Sequence, residues 1–376
     1  MRKHASFRFR IAAMLLFFFA AAFLLPACRG GDAKLYLLAA AVPGVMLFLM
    51  LLPAGVFGLD RPSLAAALSL CGFGLLATAD SSPDETLSQG LRCAAALAFL
   101  TAGAVLVRSF RPSAAAAALP AACGLGMLSC ALWVPDLPFS LAEGGMVLLL
   151  FAVSAFLSLR LRLPALAAAL GGSLLLLLQQ DYGSALIWGL SCVLVFWAAS
   201  DSALWSGILL GGTAGLFGLF YGFAAPQAET ASTSLLSRIS SMPLIPPEAL
   251  PGTAGETSAD SLFFLLGDRY GLVFLLCAVL FLILILLRGA SLAQHTRKSF
   301  HASLALGMVL LAGLRALLFL GAAAGLVSFS PGSFPFMTSS MPDLFAHFFL
   351  LGLLSGVSAR NEADLEEDAR LAMLAR

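Results

Sequence analysis

A few ionisable side chains stand where an apolar chain has least use for them. Asp260 closes the polar part of "GETSADSLFFLLGDRYG" (255–271), immediately before a strongly apolar run. Asp268 follows two helical turns later, with Arg269 beside it. Glu143 opens the run 143–158. Gln179 and Asp181 lie in "QQDYGSAL" (179–186), a break between two apolar runs. Arg315 falls in the middle of 302–327, and Asp343 and His347 stand one helical turn apart where the last run begins. A carboxylate at a bilayer edge is partly stripped of water, which suits it to accept a proton as a general base. A buried arginine needs a membrane acid or backbone carbonyls. Taken singly, Glu143, Asp181 and Asp343 also fit a plain capping role, because helix N-termini favour acids. Their convergence on one face is what makes a site of them.

The elements that must position these residues are membrane helices. The chain has 376 residues, 60% hydrophobic and only 11% charged, against about 25% charged in a soluble domain. Apolar runs recur from end to end, each long enough to cross about 30 Å of hydrocarbon as a helix. The fold class expected is an all-α polytopic transmembrane bundle of about twelve spans. They lie near 11–27, 35–57, 63–79, 90–107, 113–133, 143–158, 164–179, 183–199, 203–224, 262–287, 302–327 and 343–358. Lys and Arg gather in alternate connections: "RKHASFRFR", "DRP" (60–62), "RSFRP" (108–112), "RLRLP" (160–164) and "RGASLAQHTRK" (288–298). By the positive-inside rule both termini are cytoplasmic, and Glu143, Asp181, Asp260, Asp343 and the long connection 225–261 face outward.

Other classes are excluded or unsupported. The net charge of +1 carries no basic tract, so no nucleic acid is expected. Seven cysteines are scattered without a C-x-x-C pair, and four histidines lack metal-ligand spacing, so no metal site is read. The N-terminus resembles a signal peptide, and "LPAC" approaches a lipoprotein cleavage box. An uncleaved first span is the reading taken, because a polytopic remainder follows. The tail "RNEADLEEDARLAMLAR" reads as a solvated cytoplasmic helix-former.

Three stretches resemble the SEDS family of RodA/FtsW-like proteins (shape, elongation, division and sporulation). "QQDYGSALIWGLSCVLVFWAAS" resembles Q-P-D-L-G-T-A at Gln179, Asp181, Gly183 and Ala185. "ADSLFFLLGDRYGLVFLL" is similar to T-D-F-I-F-A-V-I-x-E-E-x-G, with Asp260 on the family's Asp, Asp268 on its first Glu and Gly271 on its Gly. "FPFMTSSMPDLFAHFFLLGLLSGVSAR" resembles L-P-F-V-S-Y-G-G-S-S-L-L-A-N and the span after it. "PFSLAEGG" more weakly resembles F-Q-P-S-E-L-A-K, with Glu143 on its acid. The sequence departs at Gln180 (for Pro), Met146 (for Lys), Met341 and Pro342 in the G-G-S-S segment, and Arg315 and Phe319 (for Gln and Asn).

The resemblance implies three parts: two additional N-terminal spans over 1–62, a ten-span core over 63–360 containing the loop 225–261, and a charged tail over 361–376. It also implies a peptidoglycan glycosyltransferase of the bacterial cytoplasmic (inner) membrane that polymerises lipid II beside a class B penicillin-binding protein transpeptidase. Asp260 would be the catalytic base. Glu143, Gln179, Asp181, Arg238, Asp268, Arg269 and Arg315 would serve substrate binding, with a divalent cation such as Mg2+ at the pyrophosphate as an option. Asp268 better suits supporting geometry, and Arg269 beside it fits a structural ion pair equally well. Two other classes stay open: a lipid II flippase or other lipid-carrier transporter, and a non-catalytic scaffold that recruits the transpeptidase.

Overall fold

The computed structural model describes residues 16–24, 27–28, 36–37, 39–46, 48, 59–81, 83–134, 141–200, 202–223, 262–324, 326–327 and 332–374. Asp260, Arg238 and the loop 225–261 lie outside them. The described chain is built from helices, which we number α1 Arg61–Ser81, α2 Pro83–Ser109, α3 Ala114–Trp133, α4 Leu141–Ser158, α5 Arg162–Leu178 and α6 Tyr182–Ala199. Then come α7 Ala203–Phe223, α8 Leu262–Tyr270, α9 Leu272–His295, α10 Ser299–Ala323 and α11 Met341–Leu374. Nine of the described helices are long and apolar enough to cross a membrane, and Arg162–Leu178 is a shorter apolar one. This is a multi-pass helical membrane protein.

Local chemistry sets the boundaries. Asp181 accepts a hydrogen bond from the Ser184 backbone N–H at 2.9 Å, and Ser113 accepts one from Ala116 N–H at 3.2 Å. Both cap donors that a helix start leaves unpaired. The run expected to be one span over 262–287 is broken at Gly271. Its φ of +87° lies in the left-handed region that glycine reaches without a Cβ clash. Asp268 therefore sits on the short helix α8, and the membrane-length helix starts only at Leu272. At the other end, the last span and the charged tail form one continuous helix over 341–374.

Helix α4 is largely buried, packed against α3, α5, α6, α10 and α11. α10 packs on α4, α6, α9 and α11 in turn. Small residues let backbones approach, as membrane helix packing requires. A Cβ on Gly103 of α2 would come within 2.6 Å of the Phe349 carbonyl of α11, and one on Gly352 would collide with the Leu100 carbonyl.

The two ends of the bundle differ in charge. Toward one end Asp60 pairs with Arg288 at 3.0 Å, Lys298 with Asp364 at 2.8 Å, and Arg360 donates to the Arg108 carbonyl at 2.6 Å. The first turns of α4 and α11 and the cap of α6 place Glu143, Asp343 and Asp181 toward the other.

Candidate functional site

The site grows from Arg315. It lies eight residues from the C-terminus of α10, with its side chain 6% exposed, and a lone guanidinium there would be costly. Three elements meet that cost. One terminal nitrogen, Nη1, forms an ion pair with Glu143 of α4. The other, Nη2, lies 4.0 Å from Asp343 in the first turn of α11. Nε donates to the Ser333 carbonyl at 3.4 Å. The Ser333 hydroxyl in turn lies 3.5 Å from the Asp343 carboxylate. Asp181, at the α6 cap, is within Coulombic reach of Arg315 and Glu143.

Beside this cluster is a cavity of about 20 Å³, lined among others by Glu143, Met146, Ile187, Leu311, Arg315 and His347. Such a volume holds a single water. His347 is 5% exposed. Met146, where the resemblance has a lysine, and Arg315, where it has a glutamine, line the same cavity.

Ser333 belongs to a segment, 332–340, that runs buried between α10 and α11. Ser333, Phe334, Phe336, Met337 and Thr338 are all enclosed. A buried loop must satisfy its backbone groups. Gln89 of α2 donates to the Thr338 carbonyl at 2.7 Å and Arg92 to the Ser339 carbonyl at 3.0 Å. Phe336 adopts φ +64°, uncommon for a residue with a Cβ. On the other side Phe263 of α8 stacks on Phe334 at 4.5 Å between ring centroids, and Phe264 stacks on Phe319 of α10 at 5.7 Å. Phe319 thus joins the aromatic cluster that ties α8 to this segment.

Of the residues singled out from sequence, Glu143, Arg315 and Asp343 come together, His347 lines the adjoining cavity, and Asp181 lies within Coulombic reach. Gln179 does something simpler: its side-chain amide donates to the Leu128 carbonyl at 2.9 Å, joining α5 to α3. Asp268 is exposed and Arg269 half-buried on α8, which packs on α1 and α9. Asp260 and Arg238 lie outside the described residues. Gln89, Arg92 and Ser333 carried no sequence signal beyond their polarity, because their role depends on a loop that only the fold buries. Among the described residues, no three His, Cys, Asp or Glu side chains gather as a metal-ligand set.

No family model matches the chain. A curated "Probable peptidoglycan glycosyltransferase FtsW" of Geobacter metallireducens is 28% identical over 105 residues. That match spans 28% of this chain and 28% of the relative's own length. The fold agrees far more widely. Thermus thermophilus rod shape determining protein RodA superposes with a TM-score of 0.58 at 18% identity, covering 82% of this chain and 99% of RodA. A chain from a structure described as the coordination of polymerization and crosslinking by a peptidoglycan synthase complex gives 0.60 at 19% identity, covering 81% and 98%. The chain thus has the RodA fold.

Proposed function

We propose that the chain is a peptidoglycan glycosyltransferase that polymerises lipid II at the outer face of the bacterial cytoplasmic membrane. The observation that carries this reading is a RodA fold spanning 99% of that protein. Glu143, on one of the motifs of the resemblance, pairs with Arg315, and Asp181, on another, caps α6 within Coulombic reach of that pair.

In this reading Asp260 is the general base. It takes the proton from the 4-hydroxyl of the acceptor's N-acetylglucosamine as that oxygen attacks C1 of the donor's N-acetylmuramic acid. The bond from C1 to the pyrophosphate oxygen breaks, undecaprenyl pyrophosphate departs, and the α link becomes β. One base and a stabilised leaving group suffice for a single inverting displacement. Support comes from α8, which begins two residues after Asp260 and is held by Phe263 against the segment that carries Ser333.

The departing pyrophosphate needs positive charge. Arg315 is the proposed source, with Arg238 and Arg269 as further cations, and Asp268 supporting the geometry of α8. Glu143, Gln179 and Asp181 shape the surrounding cleft. A divalent cation such as Mg2+ would add positive charge at the pyrophosphate oxygens. A class B penicillin-binding protein is the proposed partner, a reading supported by the described coupling of polymerization and crosslinking in the similar complex.

The test is glycan-strand synthesis from purified lipid II, with and without a candidate transpeptidase. Wild type should give polymer and Asp260→Asn none. A lipid-carrier flippase is the second reading, favoured by the buried charge cluster around Arg315. It requires Arg315→Gln to stop lipid translocation while Asp260→Asn is no worse.

A further inference from the structure

Arg315 faces two carboxylates with one positive charge. As the cluster stands, Glu143 and Asp343 lie against the guanidinium, and the adjoining cavity of about 20 Å³ has room for about one water. The two acids are held unequally. Glu143 is in direct contact with Nη1, whereas Asp343 stands 4.0 Å from Nη2, steadied by the Ser333 hydroxyl at 3.5 Å. At that distance the Asp343 contact is at the outer limit of an ion pair. Both acids sit in the first turn of their helices, so the looser contact is what singles out Asp343 as the one to leave.

Building on the glycosyltransferase reading of this site, we propose that Asp343 is a displaceable internal ligand of Arg315, occupying the place that a pyrophosphate headgroup takes on binding. Exchange replaces one anionic oxygen by another at Nη2, so the guanidinium is never left bare. Glu143 stays and keeps Arg315 aimed. The device makes entry of the headgroup and withdrawal of the α11 N-terminus from Arg315 one event. The charged and titratable groups facing it are Glu143 of α4, Asp181 at the α6 cap, and His347 of α11. All belong to the same cluster, so a variant at Asp343 reads the exchange with Glu143 still in place.

The experiment is equilibrium binding to the full chain in lipid nanodiscs, with a polyprenyl pyrophosphate and inorganic pyrophosphate as separate probes. Wild type, Asp343→Asn, Asp343→Ser and Arg315→Gln are compared. Removing the competing carboxylate should tighten polyprenyl pyrophosphate binding about tenfold in both Asp343 variants, and Arg315→Gln should weaken it. An equal gain for inorganic pyrophosphate assigns the exchange to the headgroup alone, and a gain only for the lipid requires the tail as well. Affinity unchanged or lowered in the Asp343 variants overturns the proposal, and either variant decides if the other does not fold. The two readings fail separately. Tighter binding without lipid II polymerisation sinks the enzyme and keeps the exchange, whereas polymerisation with no Asp343 effect on binding does the reverse.

Discussion

Arg315 and Glu143 meet from α10 and α4 inside the bundle, with side chains 6% and 12% exposed. A pair so enclosed is a point of mutual dependence. Removing one partner of a buried ion pair leaves the other charge stranded, at a cost of about 3–5 kcal/mol. Arg315→Gln should therefore lower the thermal midpoint in detergent sharply. Adding Glu143→Gln and Asp343→Asn to it should recover much of the loss. A triple variant less stable than Arg315→Gln would show that the carboxylates have other work.

The positive charge has moved between helices relative to the resemblance. Met146 and Arg315 line one cavity, so a lysine on α4 could reach the space that Arg315 now fills. Arg315→Gln alone should cut polymerisation by at least about tenfold, as loss of a leaving-group cation does. Met146→Lys with Arg315→Gln should restore a measurable part. Failure of the double variant, with its fold intact by size exclusion, would mean that the guanidinium's forked geometry matters and not its charge alone.

Where α2 crosses α11, Gly352 leaves no room for a methyl group, because the Leu100 carbonyl occupies that space. Gly352→Ala must push the helices apart, an overpacking cost of about 1–3 kcal/mol. The effect should reach the site, since α2 also carries Gln89 and Arg92, which hold the segment 332–340. Thermal melts and polymerisation assays should fall together. Full stability and activity in Gly352→Ala would refute the close crossing.

Chelation separates a substrate-borne metal from a resident one. EDTA should slow polymerisation and Mg2+ should restore it, while the melting midpoint without substrate stays put. A fall in that midpoint would point to a metal held by the protein itself.

Much of this was legible in the sequence because a membrane imposes a simple grammar. Runs such as "EGGMVLLLFAVSAFLSL" have one way to satisfy their backbone in lipid, and α4 spans Leu141–Ser158. The break in 262–287 was less legible. Gly271 sits in a run apolar enough to read straight through, and only its positive φ divides α8 from α9. For Arg315, sequence supplied the need for a partner but not its identity. Glu143 and Asp343 are 172 and 28 residues away along the chain, and only the packing of α4, α10 and α11 brings them to one guanidinium. The buried segment 332–340 was hidden for the opposite reason: its Ser, Pro and Thr content reads as an exposed turn. Departures that looked like erosion, Arg315 and Phe319, each have partners in the fold: the two acids for one, Phe263 and Phe264 for the other.

The most direct test of the central claim is polymerisation of purified lipid II by wild type and Asp260→Asn, each with and without a class B penicillin-binding protein. Loss of a general base costs about 10²–10⁴-fold. Polymer from wild type, with at least a hundredfold less from Asp260→Asn at equal folding, is the result expected. Polymer from both at similar rates, or from neither with the partner present, would contradict it.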